Sequence, residues 1–378
     1  MSQRSIAVPF ATVLCAATVL CAAAVEAEVV PFDSARWEIH ARESRLEEHL
    51  GRPSLYLQGG LAWIQDVDFV DGIVEFDIAV NGERGFMGGL WRLRSPGNHE
   101  EFYIRPHQSG MPDANQYTPA FNGVTAWQLY HGDGYGVAIE YPRDTWIHVK
   151  IVFAQGQGEA YVDSEKPVLF MHELKRDVAA GKVGVHCADF AGAHFSGFSY
   201  QKLDRPKLVS PPRELEPAAA GTVLSWQVSD TFGEDSLDGK VVLSDADKDG
   251  LAWRELAAES TGITNLSRLH AISPEANAVF ARLVVHSERE QVKKLSFGYS
   301  DRVKVYVDGR LVYGGDNTYR SRDFRYLGTI GLFDEVYLPL HEGRNEVWLA
   351  VAESFGGWGV LARLEDLDGL RVENAVQH

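Results

Sequence analysis

The segment from Phe102 to Gly136 interleaves planar hydrogen-bonding side chains with aromatic rings. Amide, carboxylate and guanidinium groups can pair with the hydroxyls around a sugar ring, and an aromatic ring can cover its apolar C–H face. The composition therefore predicts a saccharide-binding surface. The residues that we expect to contact the ligand are Arg105, His107, Asp113, Asn115, Gln116, Tyr117, Asn122, Trp127 and Tyr130.

A structural role is the alternative for the same segment. Roughly twenty residues pass before a strand pattern could resume at residues 124–130, and loops of this length are uncommon unless they are functional. The aromatic rings could instead anchor such a loop to the protein, while its Asn and Asp side chains satisfy the backbone. Arg105 and His107 bracket a proline just after a strand, which favours binding.

Carboxylates of like parity on one strand would indicate glycoside hydrolysis. A retaining pair must lie about 5 Å apart, and alternate residues of a strand share a face. Glu75 and Asp77 in "EFDIAVN" match the first two positions of a Glu-x-Asp-x-x-Glu pattern, but the third falls on Ala79 or Val80. Neither of these can donate a proton. We therefore interpret Glu75 and Asp77 as solvent-side residues of an ordinary strand.

Catalysis remains the alternative function. The sequence contains neither a Gly-x-Ser-x-Gly nor a His-Glu-x-x-His motif. A glycoside hydrolase or polysaccharide lyase would need a non-standard acid or base, drawn from His107, Asp113, Glu140 or Tyr117. A protein-binding adhesion module is the third alternative.

We expect no cofactor. Isolated loop histidines such as His107 and His131 form hydrogen bonds more often than they bind metals. The stretch "DADKDG" (Asp245–Gly250) copies the first half of a calcium loop, but the twelfth position is Leu256 instead of a bidentate Glu. We interpret it as a solvated acidic turn, with a looser calcium site as the alternative.

Short β-strands must position these residues. Runs such as "GIVEFDIAV", "EEFYIRP" and "TWIHVKIVFA" are rich in β-branched and aromatic residues and are separated by turn residues. Similar runs return from Val223, including the hairpin "VKVYVDGRLVY" with its turn at Asp308-Gly309. Residues 237–270 are mixed and predict a short helix or loops. The pattern predicts an all-β chain with two β-sandwich domains.

A segment rich in Pro and Ala separates the two groups of strands. "DRPKLVSPPRELEPAAAGT", residues 204–222, has no strand pattern and predicts a protease-sensitive linker. The predicted division is a signal peptide at 1–27, sandwiches at 28–203 and 223–372 on either side of the linker, and a tail at 373–378.

Two family resemblances accompany this division. "GIVEFDI", "GLWRLR…EEFYIRP", "WIHVKIVFAQGQGEAYVDSEKPVLF" and "GKVGVHCADFAGAHFSGFSY" resemble successive strands of the concanavalin A-like lectin/glucanase superfamily. The likeness covers roughly residues 37–200 and looks most like laminin-G-like and 3-keto-disaccharide hydrolase domains. "FARLVVHSEREQVKKLSFGYSDRVKVYVDGRLVYGG" resembles a galactose-binding-type jelly roll. These resemblances imply two jelly rolls, but both folds serve several activities.

The amino terminus and the charge bear on location and partners. Arg4 and the apolar run after it predict a signal peptide cleaved after Ala27, and hence a secreted or periplasmic protein without membrane insertion after cleavage. Cys187 would then be the single cysteine left, expected to be buried and unpaired. The formal net charge of −17 argues against nucleic acid. The partner that we expect is a glycan or polysaccharide.

Overall fold

The computed structural model describes residues 26–213, 215–323, 327–373 and 375–376. The predicted signal peptide lies outside the described residues except for its last two positions. Among the helices of the described residues, none is long and apolar enough to cross a membrane.

The described chain is almost entirely β-structure with antiparallel pairing, which confirms the predicted all-β class. Residues 237–270, for which the sequence predicts a short helix or loops, include the one-turn helix α1 (Asp245–Lys248). Short 3-10 turns span Pro106–Gln108, Glu234–Leu237 and Leu266–Arg268. The strands are β1 (Glu28–Val29), β2 (Trp37–His49), β3 (Arg52–Ile64), β4 (Gly72–Ala79), β5 (Met87–Ser95), β6 (Asn98–Ile104), β7 (Asn115–Phe121), β8 (Val124–Thr125), β9 (Trp146–Ala154), β10 (Gln157–Val162), β11 (Leu169–Met171), β12 (Lys182–Cys187), β13 (Ala193–Lys202), β14 (Ser225–Ser229), β15 (Trp253–Ala257), β16 (Thr264–Asn265), β17 (Ala278–Ser287), β18 (Gln291–Ser300), β19 (Arg302–Val307), β20 (Arg310–Asp316), β21 (Asp334–Leu340), β22 (Gly343–Ala352), β23 (Gly359–Leu364) and β24 (Leu370–Val372).

Strands β1 to β13 form one hydrogen-bonded system around a single apolar core. Their order is β11-β10-β9-β4-β13-β3-β12-β5-β6-β7-β8, with β1 beside β13 and β2 beside β3. Alternation on β4 shows how the core is built: Phe76 is fully buried, while Glu75 and Asp77 lie on the other face and both contact His148. These two carboxylates are partly exposed, as the sequence predicts for solvent-side residues.

Strands β14 to β24 form two further sheets. One has the order β15-β14-β17-β22-β19-β20, with β24 beside β17, and the other has the order β16-β23-β18-β21. Buried side chains of both sheets, such as Leu349 and Phe297, belong to one apolar cluster. The two sheets therefore pack face to face.

The two strand systems also contact each other, chiefly through residues 126–131 of the first. Gln128 is fully buried; its backbone N–H donates to Gly356 O over 2.9 Å and its side chain donates to Leu327 O over 3.1 Å. Leu129 and Tyr130 share an apolar cluster with Leu361 of the second system. This part of the predicted binding segment is therefore a docking element.

The segment between the two systems lies against the first one where it is described. The backbone N–H groups of Val209 and Ser210 donate to Glu159 over 2.9 and 2.6 Å, and Arg213 pairs with Asp133. Protease sensitivity and the domain boundaries themselves stay predictions.

The hairpin predicted at Asp308-Gly309 is confirmed. Strands β19 and β20 pair from Val307↔Arg310 onward, and both turn residues have positive φ, 47° at Asp308 and 81° at Gly309. Asn, Asp and Gly reach such values most readily, which explains the turn signal.

Replacing Gly309 with Ala should therefore lower the free energy of unfolding by about 1 kcal/mol. The added methyl group would meet its nearest neighbour at 3.6 Å, so the cost is conformational and not steric. Gly314→Ala is the matched control, because its methyl group would meet nothing closer than 4.0 Å and its φ is ordinary for a strand. Urea denaturation that finds equal losses for the two variants would contradict this account.

Candidate functional site

A cleft of about 560 Å³ opens between the first strand system and the loops of the second. Strands β3, β6 and β12 supply its floor, and the segments around Phe86, Trp127 and Phe190 supply much of its wall. Tyr319 and Phe355 complete it from the second system. Its volume falls within the range of about 300–1,000 Å³ that is typical of small-molecule sites.

The alternation of β6 places three functional side chains on the cleft face, and Arg105, directly after the strand, continues the row. His99, Glu101, Tyr103 and Arg105 all line the cleft, whereas residues 100, 102 and 104 between them are buried on the other side of the strand. Successive residues of a strand point to opposite faces, so the pattern His-x-Glu-x-Tyr-x-Arg displays these groups in a row.

His186 joins this row across the neighbouring strands. It lies opposite Gly88 of β5, and Gly88 in turn lies opposite Tyr103 of β6. Since Gly88 has no side chain, the rings of His186 and Tyr103 approach edge to face, with 5.9 Å between their centroids.

Glu101 lies between two imidazoles at the bottom of the cleft. Its Oε2 atom is 3.0 Å from His99 Nε2 and 3.6 Å from His186 Nε2, and all three residues are at most 6% exposed. Burial by itself would raise the pKa of the Glu101 carboxyl, but the interactions with His186 and His99 outweigh it, so the pKa lies below its usual value. Glu101 is therefore an ionised carboxylate in a buried position at neutral pH.

Arg105 and Tyr103 form the second polar group of the floor. The Arg105 guanidinium donates to Tyr103 Oη over 3.0 Å, to Gln116 Oε1 over 2.5 Å and to the carbonyl of Asp113 over 2.8 Å. Burial is the main cause that raises the pKa of Tyr103 to about 12, so its phenol is neutral. Arg105 donates a hydrogen bond to the phenol oxygen of Tyr103. The O–H of Tyr103 can therefore donate to a ligand.

Exposed aromatic rings form the rim of the cleft. Phe190 is 40% exposed and Phe355 54% exposed. Trp127 lies between Phe355 and Tyr319, with centroids 5.9 and 6.1 Å away. These rings leave apolar faces open to solvent directly above the polar floor.

His107 and Cys187 also line the cleft. The Gly85 N–H lies 3.4 Å from His107 Nδ1, and burial is the main cause that lowers the pKa of this histidine. Cys187 is buried and unpaired, as the sequence predicts. Burial raises the pKa of its thiol to about 12, which keeps it protonated and a poor nucleophile.

Four of the nine residues predicted to bind a ligand do line the cleft: Arg105, His107, Asp113 and Trp127. Gln116 lies behind them; it accepts from Arg105 and donates to the Trp127 carbonyl over 3.0 Å. It therefore orients the site without lining the cleft.

The other four predicted residues do not line this cleft, and their contacts point to structural roles. Asn115 donates to Val137 O and to Tyr141 Oη, and Asn122 donates to Ser267 O of the second system. Tyr117 is fully buried and donates to Glu100 over 2.6 Å, and Tyr130 is fully buried and donates to Glu259. Tyr117, Tyr130 and Asn115 are core residues, and Asn122 bridges the two systems.

Sequence reasoning missed His99, Glu101, Tyr103 and His186. The signal for the first three was present, because His99, Glu101 and Tyr103 occupy every second position of "HEEFYIR", the parity that like-facing residues require. His186 carried no such signal, since only the pairing of β12, β5 and β6 brings it to the floor. Within the described residues, no group of three or more His, Cys, Asp and Glu side chains is arranged to hold a metal ion.

No protein-family model and no curated protein sequence matches the chain. Among solved structures it is similar to the carbohydrate-binding module CBM66 from Bacillus subtilis, with 14% identity and a TM-score of 0.34 over 44% of this chain and 96% of that one. It is also similar to a Bacillus subtilis protein of unknown function with a galectin-like fold, with 13% identity and a TM-score of 0.35 over 47% of this chain and 96% of that one. A native glycosidic hydrolase is similar with 15% identity and a TM-score of 0.34 over 48% of this chain and 97% of that one. Likenesses this low assign no activity, so the cleft carries the functional argument.

Proposed function

We propose that the protein binds a saccharide in this cleft. The observation that carries the proposal is the combination of exposed rings at the rim with buried, charged hydrogen-bonding groups on the floor. A sugar ring needs both, because its C–H face stacks on aromatic rings while its hydroxyls pair with planar polar groups. A secreted or periplasmic location would suit such a ligand.

Trp127→Ala is expected to weaken saccharide binding about tenfold, because the stacking contact contributes roughly 0.5–1.5 kcal/mol beyond the buried area. The measurement is a glycan array on the mature chain, followed by calorimetry with the best ligand. The folding stability should change little, since the ring is partly exposed at the rim.

Tyr337→Ala is the matched control, because this tyrosine is 64% exposed and lies outside the cleft. The Tyr337→Ala variant should bind the same ligand with the affinity of the wild type. The proposal fails if Trp127→Ala binds every glycan as the wild type does, or if the wild type binds none.

Catalysis on the bound glycan is a second candidate, and the buried Glu101 carboxylate favours it. An ionised carboxylate beside two imidazoles can take up a proton from a bound sugar during elimination, or from the attacking water during hydrolysis. Tyr103, a neutral phenol held by Arg105, can donate one or stabilise developing negative charge. These groups correspond to acid–base cleavage of a glycosidic bond, by hydrolysis or by elimination.

A further inference from the structure

Three polar residues meet at one end of the second strand system, where β19 begins and β20 and β22 end. The backbone N–H of Asp301 donates to the carbonyl of Ala352 over 2.7 Å, and the carbonyl of Asp301 accepts from the N–H of Asn317 over 2.7 Å. Glu353 directly follows Ala352. Asp301 therefore lies between Glu353, directly after β22, and Asn317, directly after β20.

Each of these three side chains has one oxygen that the protein does not satisfy. The residues are 1%, 1% and 3% exposed, and Asp301 Oδ1, Glu353 Oε2 and Asn317 Oδ1 are buried without a hydrogen-bond partner. A buried polar atom without a partner is costly, and such atoms in native proteins call for an explanation.

The remaining atoms of the three side chains are fixed by backbone groups. Asp301 Oδ2 accepts from the N–H groups of Ser354 and Phe355 over 2.9 and 3.1 Å, and Glu353 Oε1 accepts from Gly357 over 3.1 Å. Asn317 Nδ2 lies 3.2–3.4 Å from three backbone carbonyls. These bonds fix the orientation of the three side chains, and one oxygen of each remains without a hydrogen-bond partner.

Asp301 directly precedes Arg302 and Glu353 directly follows Ala352, and the pairing of Arg302 with Ala352 places the two carboxylates side by side. The guanidinium of Arg302 already makes hydrogen bonds of 2.7 and 2.6 Å to Glu234. Two adjacent buried carboxylates of this kind call for a cation.

We propose that Asp301, Glu353 and Asn317 form a binding site for a calcium ion. Two carboxylates and an amide carbonyl are hard oxygen ligands, the type that Ca²⁺ takes in proteins. The three unsatisfied oxygens would coordinate the ion, and its charge would neutralise the two carboxylates. Because Asp301 also holds the backbone of Phe355, the site would fix the loop that supplies one ring of the cleft rim.

The test is a calcium titration of the mature chain after EDTA treatment. Calorimetry should find one Ca²⁺ per chain, and 1 mM CaCl₂ should raise the melting temperature by about 5 °C. Glu353→Gln and Asp301→Asn keep the side-chain shape and should each weaken calcium binding at least about tenfold. In EDTA the Glu353→Gln variant should melt no lower than the wild type, since the amide keeps the side-chain shape and the oxygen that accepts from the Gly357 N–H.

The exposed acidic turn supplies the matched controls. Asp245→Asn and Asp249→Asn remove carboxylates from the stretch with calcium-loop character and should leave binding unchanged. The proposal is overturned if the wild type binds no Ca²⁺ at 10 mM, about ten times the weakest dissociation constant that is typical of extracellular sites. It is also overturned if Glu353→Gln binds like the wild type, if Glu353→Gln unfolds in EDTA, or if the control variants are the ones that lose the ion.

Discussion

Replacing Glu259 with Ala is expected to lower the free energy of unfolding by about 3 kcal/mol, because it breaks a buried ion pair between the two strand systems. Glu259 lies 2.7 Å from the ammonium group of Lys175, whose side chain is 1% exposed, and it also accepts from the phenol of Tyr130. Burial by itself would lower the pKa of Lys175, but Glu259 and its other neighbours outweigh it and hold the pKa above its usual value. The variant would leave a buried charge with a single carboxylate partner, Glu173.

Two further variants separate the pair from its surroundings. Glu173→Ala removes the more exposed partner of Lys175 and should cost at most about 1 kcal/mol. A Lys175→Met/Glu259→Met double variant should regain most of the loss, because apolar residues of similar volume replace both charges. Urea denaturation gives all three values; a loss below 1 kcal/mol for Glu259→Ala would mean that the contact between the systems contributes little.

The strands could be read from the sequence wherever local pattern and pairing agree. The alternation of "GIVEFDI" predicts which side chains of β4 enter the core, and Asp308-Gly309 predicts the hairpin of β19 and β20. Both signals are local, since they depend on side-chain parity and on residues that tolerate positive φ.

The segment from Arg105 to Gly123 shows where this reasoning failed. It was predicted to be one long loop, but Asn115–Phe121 forms β7 and pairs along β6. Its Asn and Pro residues argue for a loop, and the cross-strand pairing overrides that local preference. The same pairing directs the side chain of Tyr117 into the core. Truncation of Tyr117 to Ala would lower the free energy of unfolding by about 3–5 kcal/mol and would not change the residues that line the cleft.

The cleft itself could be predicted only in part, because it is assembled from both strand systems. Arg105 and Trp127 come from the segment that the sequence singled out, but Tyr319 and Phe355 are about two hundred residues further along the chain. Composition identifies a segment rich in aromatic and amide groups. It does not tell which of those groups the fold will leave exposed.

If the wild type cleaves a glycan, replacing Glu101 with Gln is expected to lower kcat for that glycan by about 10²- to 10⁴-fold. The amide keeps the shape and one hydrogen-bond acceptor beside His99, so KM should change little, but it cannot take up a proton. The pH profile gives a second readout. The pKa of Glu101 is lowered, so the base is active above that pKa and turnover should fall as the pH decreases through it.

Glu100→Gln is the matched control for this experiment. Glu100 is the neighbouring residue on the same strand, is equally buried, and points away from the cleft to accept from Tyr117. The Glu100→Gln variant removes the same chemical group and should leave kcat at the wild-type value, even where it lowers the folding stability. Equal losses of kcat in the two variants would trace the defect to the fold of β6 and not to a base in the cleft. A wild type that binds a glycan tightly and releases no product from it would establish the cleft as a binding site without catalysis.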